Sequence, residues 1–463
     1  MHNFTKACLL FSVLLMLCSC SKEQNYTAYF GGQVVNPRTP YVIFSKDNKV
    51  IDTIKLDKDN RFFVKFDSLS PGLYSFKHDP DYQYVYFDRN DSLMVSINTA
   101  DFDQSIVFSG RGEAKNNFMM ELFIQQETDR HKAYDFYNYD YERFRKAIDS
   151  TYNLREAFYK QNKETIKWSE GFDFYAQQRV KLNYYTKREY YPYVHARRTG
   201  EEIKSKLPKD FYAYRKTLNF NDARLTDFSP FQRYLTAMLN NMAITRSYKN
   251  GNVQEDALRD NINKLNIADS MFGKNEGIKN DVLNNIAFNY LLEDQNIVNN
   301  QKFLERYLQL STDNSPDNEI KKIGNAIKQL KEGNKLPAIA LVDSTNKAFD
   351  IDNDIKKETV IFFWTSCARA HLLNVYQRVE ELKKQHPNVH FIGVNVDNDT
   401  EWKKTMGLYN FDAAQQLRTT DFAALRNKWV FTKINRTIVL NSNGTIKNAF
   451  TNLLDTRFEE FLK

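Results

Sequence analysis

Residues 364–371 read Trp-Thr-Ser-Cys-Ala-Arg-Ala-His, and Cys367 is the side chain there best suited to covalent chemistry. An apolar run over 360–363 leads into them. Beyond them Leu372, Val375, Val379 and Leu382 recur at helical spacing until Pro387 closes the pattern. The segment therefore predicts a buried strand, a loop and a helix. A thiol near a helix N-terminus, with Arg369 and His371 close by, is favoured as thiolate. Dithiol exchange needs a second cysteine in the same loop, and the loop has none. Cys367 alone supports a monothiol nucleophile; the alternative is a small buried apolar residue with no reactivity. His371 reads as a helix-surface residue. The other histidines are scattered without ligand spacing, so no metal is expected.

The chain has four cysteines, and the other three, Cys8, Cys18 and Cys20, lie in a leader-like segment. Lys6 gives it a positive start, and the apolar run over 9–17 is too short for a mature transmembrane helix. Leu17-Cys18-Ser19-Cys20 resembles a bacterial lipobox. That resemblance implies a signal peptide over residues 1–19, cleavage before Cys20, and lipidation of Cys20. The expected address is the cell envelope, anchored by lipid to the outer membrane, periplasmic or surface face, because two or more acyl chains hold stably where one does not. The mature chain keeps only a blocked Cys20 and Cys367. No intramolecular disulfide is then possible, and the fold must rest on its cores.

A formal charge of +7, from 65 basic and 58 acidic residues spread along 463, describes a solvated surface rather than a nucleic-acid footprint. The partners expected are the membrane, through the anchor, and envelope proteins; nucleic acid is not among them.

Strands are predicted at 27–35, 41–44, 50–56, 62–66, 73–78, 84–87, 93–97 and 105–108, between turn clusters such as Asn36-Pro37 and Ser70-Pro71-Gly72. That is a small β-sandwich over residues 20–110. Gly110-Arg111-Gly112 lacks the third glycine and the crossover unit of a dinucleotide loop, and no cofactor is expected. Residues 111–333 turn helical: Tyr141, Phe144, Ile148 and Tyr152 share one face, as do Val282, Ile286 and Tyr290. The stretch 134–214 is dense in tyrosine and phenylalanine among basic residues. Helical spacing favours a core of large side chains; the alternative is a stacking surface for a sugar or peptide in an uptake accessory.

Residues 334–463 alternate strand and helix, with Asn443-Gly444 marking a hairpin near the end. "LPAIALVD", "TVIFFWTS", "VHFIGVNVD" and "INRTIVLNSNGTI" resemble the thioredoxin-like modules of the TlpA and peroxiredoxin-related superfamily, while the sandwich resembles a domain found before such modules in Bacteroidetes lipoproteins. The resemblance implies an active-site loop at Trp364. Aligned without gaps, Cys367 falls on a tryptophan, and Ala368 and His371 fall on the two cysteines. A shift of one residue puts Cys367 on the nucleophile and Ala370 on its partner. A cis-proline is implied where Asn435 stands. A cis bond before Asn costs roughly 2.5–4 kcal/mol against about 0.5–1 before proline, so a trans peptide and a remodelled groove are expected.

The fold class expected is therefore multidomain α+β: an N-terminal β-sandwich, a helical middle region and a C-terminal thioredoxin-like α/β domain. The expected function is a non-catalytic binding or scaffolding module. The alternative is a thiol-disulfide oxidoreductase or monothiol peroxidase acting through Cys367.

Overall fold

The computed structural model describes residues 26–463 except 48, 250, 251, 254, 255, 294, 295, 316, 317, 398–400, 456 and 463. The expected signal peptide and lipidated Cys20 lie outside the described residues. The chain forms two compact units, residues 1–241 and 242–463. The helical stretch expected as one body over 111–333 is thus divided between them.

In the first unit, strands β1 (Ala28–Val35), β2 (Tyr41–Lys46), β3 (Lys49–Lys55), β4 (Arg61–Phe66), β5 (Gly72–His78), β6 (Asp81–Phe87) and β7 (Ser92–Asn98) precede a short helix α1 (Phe102–Ser105) and β8 (Val107–Arg111). They make two four-stranded sheets, β4-β1-β7-β8 and β3-β2-β5-β6. All pairs are antiparallel except β1 with β7. Alternation along each strand turns Phe30, Phe44, Phe76, Phe87 and Phe108 into one core, with rings 5.3–6.0 Å apart where they meet Phe30. The last expected strand, 105–108, is corrected. Ser105 ends α1, because its hydroxyl donates to the carbonyls of Phe102 and Asn98, and β8 runs on through Gly110 and Arg111.

Helices α2 (Glu113–Phe136), α3 (Tyr141–Ile166) and α4 (Glu170–Thr199) follow. Asp140 and Ser169 cap the last two by accepting from Arg143 and Phe172 N–H. Gly112 begins α2 at φ 102°, and a Cβ there would lie 2.6 Å from the Asp91 carboxylate, which Lys115 Nζ meets at 2.6 Å. Asn116 closes the free edge of β6. Its Oδ1 accepts from Tyr86 N–H at 2.7 Å and its Nδ2 donates to Tyr86 C=O at 3.0 Å.

The aromatic stretch builds core: Phe144 stacks on Tyr191 at 3.8 Å, and between residues 134 and 214 Tyr134 is the one exposed tyrosine. Two buried carboxylates there are paired with arginines. Glu189 takes Arg215 through both oxygens, at 2.8 and 2.6 Å, and Arg155 clasps Asp129. The chain leaves this unit within α5 (Ser229–Ser247).

The second unit carries a two-residue ladder, β9 (Tyr248–Lys249) with β10 (Asn252–Val253), and then α6 (Ala257–Phe272), α7 (Glu276–Glu293), α8 (Ile297–Leu310) and α9 (Glu319–Gln329). Next come β11 (Leu341–Asp343), β12 (Ala348–Phe349), α10 (Ile351–Asp354), β13 (Thr359–Trp364), α11 (Arg369–Gln385), β14 (His390–Asn395), α12 (Glu401–Tyr409), β15 (Gln416–Thr419), α13 (Phe422–Lys428), β16 (Arg436–Leu440) and β17 (Ile446–Asn452). They build a seven-stranded sheet ordered β12-β11-β15-β14-β13-β16-β17, with β13, β14 and β15 mutually parallel. Val360, Phe362 and Trp364 pack on Leu372, Val375, Val379 and Leu382 of α11. Past β17 lies a 3-10 turn, Phe458–Leu462, whose two phenylalanine rings are 6.5 Å apart.

Candidate functional site

β13 is buried along its whole length and delivers the loop at the C-terminal end of the parallel strands, where an open α/β sheet places its ligand crevice. Trp364 is fully buried, and its indole N–H donates to Gln416 Oε1 on β15 at 3.0 Å. Past it, Asp397 gathers the loop. Its carboxylate accepts from the Thr365 hydroxyl, from Ser366 N–H at 2.9 Å and from Asn395 Nδ2 at 2.9 Å. Burial pushes the Asp397 carboxyl upward, but donors from Asn395, Thr365 and Ser366 outweigh it and hold it below its ordinary 3.8. The Ser366 hydroxyl meets that of Thr405 at 2.9 Å.

Cys367 follows, exposed and free, its N–H donating to Thr365 Oγ1 at 3.3 Å. Ala368 is the N-cap of α11 and offers no side-chain bond. The thiol therefore sits just before the helix, and Arg369 begins the first turn exposed. His371, expected as a helix-surface residue, is half-buried in the first turn of α11. Its Nε2 lies 3.1 Å from Phe363 C=O, so that nitrogen donates, and the ring is tied to the end of β13. Cys367 is the one cysteine among the described residues. No cluster of three His, Cys, Asp or Glu that could hold a metal occurs among them either.

Asn435 stands one residue before β16. Its preceding peptide is trans; among the described residues the cis bond is Asp79–Pro80. The loop before it is pinned from behind by Arg436, which sequence reasoning left out of both site and strand. Its Nη1 donates to Val430 C=O at 2.6 Å and its Nε to Ala449 C=O at 2.9 Å, while Nη2 has no partner. The guanidinium stacks on Phe450 at 3.9 Å. Burial alone pulls it down to about 9, with no carboxylate opposing. Val430 is held at φ 51°, a conformation β-branched residues rarely adopt. The structure thus brings Trp364, Cys367, Ala368, Arg369 and His371 together in one loop and helix start. It adds Asp397 just past β14, Thr405 within α12 and Gln416 at the start of β15, three polar residues that no sequence motif marks.

A Thioredoxin-like family model matches residues 356–446, the span from the approach to β13 to the last hairpin. The C-terminal domain is thioredoxin-like. No curated protein matches the chain. Among solved structures, the chain is similar to a thioredoxin-like protein from Bacteroides caccae, at 13% identity over 53% of this chain and 88% of that one, with a TM-score of 0.34. It is similar to the thioredoxin domain of a thiol-disulfide oxidoreductase from Bacteroides vulgatus, at 19% identity over 29% of this chain and 99% of that one, TM-score 0.25. A thiol:disulfide interchange protein from a Bacteroides species shares 18% identity over 26% of this chain and 80% of that one, TM-score 0.22. In this thioredoxin-like domain the loop carries one thiol where exchange chemistry uses two.

Proposed function

We propose that the thioredoxin-like domain is a binding module in a lipid-anchored envelope protein, and that it has lost dithiol catalysis. The observation that carries this reading is that Cys367 is the one cysteine in the loop and start of α11, with no second thiol beside it. A lone thiol can attack a disulfide, but it has no neighbour to release the mixed disulfide. Trans geometry at Asn435 supports the same reading, since the family resemblance implies a cis-proline at that place. Anchoring at Cys20 to the outer membrane and envelope-protein partners belong to this proposal.

The rival reading keeps Cys367 as a monothiol nucleophile, favoured by its exposure at the start of α11. Insulin-disulfide reduction and peroxide consumption, each measured for the wild type and for Cys367→Ala, separate the two. Equal background rates are expected. Turnover by the wild type that vanishes in the variant would sink the binding-module reading. The anchor has its own test: radiolabelled palmitate should enter the wild type in cells and not Cys20→Ser.

A further inference from the structure

Within the first unit, Arg155 and Arg215 each meet a carboxylate, but Arg179 does not. It lies in the middle of α4, 4% exposed, with its guanidinium carbon 5.5 Å from the ring centres of both Phe123 and Phe228. No described residue accepts a hydrogen bond from that guanidinium. Nε is the nitrogen cut off from solvent without a partner, while neither Nη is sealed in this way. The cation is thus gripped by two phenyl faces, and its unpaired fork is the part solvent can reach. Tyr84 cannot quench it, because its hydroxyl donates to Asp227 C=O at 2.9 Å and accepts from Ser229 N–H at 2.9 Å.

Besides the hydroxyls of Tyr84 and Tyr82, the groups acting electrostatically on Arg179 are Arg233 and Glu127. Glu127 is already taken: one oxygen meets Arg233 Nη1 at 3.5 Å and the other pairs with Arg130. Two guanidiniums therefore share that carboxylate, and Arg179 contacts no carboxylate of its own. A cation withdrawn from water without a counter-charge is costly, and breaking up such a cluster by adding an anion is favourable. The planar fork of arginine suits a two-oxygen acceptor.

We propose that Arg179 and Arg233 form a binding site for an oxyanion, the carboxylate or phosphate group of a ligand. The site is separate from the Cys367 loop and independent of its chemistry. Arg179 supplies the buried fork, and Arg233 turns from Glu127 toward the same anion.

The test uses the full chain, titrated with inorganic phosphate and with succinate at constant ionic strength, potassium chloride balancing each. Melting midpoint and calorimetric heat are read together. At least one anion is expected to bind saturably in the millimolar range. Arg233→Ala, on a partly exposed side chain, should weaken that binding tenfold or more, and Arg179→Leu should abolish it. Arg179→Leu should also melt no lower than wild type in chloride, because it removes an unpaired buried cation; should it fail to fold, Arg233→Ala decides. A response to phosphate alone assigns a phosphate group, and to succinate alone a carboxylate. No saturable response to either, or equal responses in wild type and Arg233→Ala, overturns the site.

Discussion

Trp364 and Gln416, 52 residues apart in sequence, are joined by a 3.0 Å hydrogen bond from the indole N–H to the amide oxygen. The same oxygen accepts from Tyr376 Oη at 2.6 Å, so one side chain on β15 fixes both the last residue of β13 and the middle of α11. Gln416→Leu would leave two buried donors without an acceptor. The expected loss is about 1–3 kcal/mol, read by urea unfolding, with Gln416→Glu retaining more of the stability than leucine. Gly393 belongs to this arrangement, because a Cβ there would sit 2.4 Å from Gln416 Oε1. Gly393→Ala is expected to destabilise as well.

Asp397 is the second tie. Asp397→Ala strands the Thr365 hydroxyl, Ser366 N–H and Asn395 amide together, and about 1–3 kcal/mol should be lost. The carboxyl is depressed in the folded state, so its stabilisation is present above the ordinary 3.8 and disappears as pH falls through the lower folded value. Unfolding free energies measured from pH 6 to pH 2 should show the gap between wild type and Asp397→Asn closing only below about pH 4. A gap independent of pH would refute the assignment.

Lys187 predicts a rise of stability with pH of the same sign, but at the alkaline end and in the first unit. Burial, opposed by Asp129 and reinforced by Arg155, lowers its ammonium to about 8, and its Nζ donates to Asn183 Oδ1 at 2.7 Å. Below pH 8 the lysine is charged in both states and its burial cost is present in full. From pH 8 toward 10.5 the unfolded chain holds the proton that the fold has released, so stability rises with pH. Between pH 8 and 9.5 the wild type should gain on the order of 1–2 kcal/mol relative to Lys187→Met. Higher pH brings in the tyrosines, such as Tyr175, whose hydroxyls burial keeps protonated to about 12 and which act in the reverse sense.

Arg436→Met should act locally. It removes a desolvated cation and, at the same time, the donors to Val430 and Ala449 carbonyls, so the net change in global stability should be about 1 kcal/mol or less. The loop of residues 430–435 loses its brace, and its amide hydrogen exchange should accelerate at least tenfold. Unchanged exchange would show that Val430 holds its backbone conformation without the arginine.

The sandwich was legible because most of its strands have one wet and one dry face. Alternation placed β1 through β7 within a few residues, as in β5, where Tyr74, Phe76 and His78 point inward. The apolar run 360–364 of β13 and the spacing of Leu372, Val375, Val379 and Leu382 revealed the strand and helix around the loop. β15 was not legible. Gln416-Leu417-Arg418-Thr419 has no apolar pattern, and it is a strand only because β11 and β14 hold it on either side. Arg436 was missed for a related reason: a charged residue at a strand start reads as solvent-facing until the sheet closes over it. The tie between His371 and Phe363 depends on a rotamer, which sequence spacing does not specify.

The amide of Asn116 against Tyr86 bears on how this protein can be inherited in parts. Sheet and first helix meet through a side chain that imitates the missing neighbour strand, so the boundary near residue 110 divides two patterns of sequence but not two independent modules. A sandwich transplanted without α2 would carry a raw edge at β6, open to pairing with any extended chain it met. Gene fusion or truncation should therefore preserve strand and helix together, with the cut falling beyond the first unit.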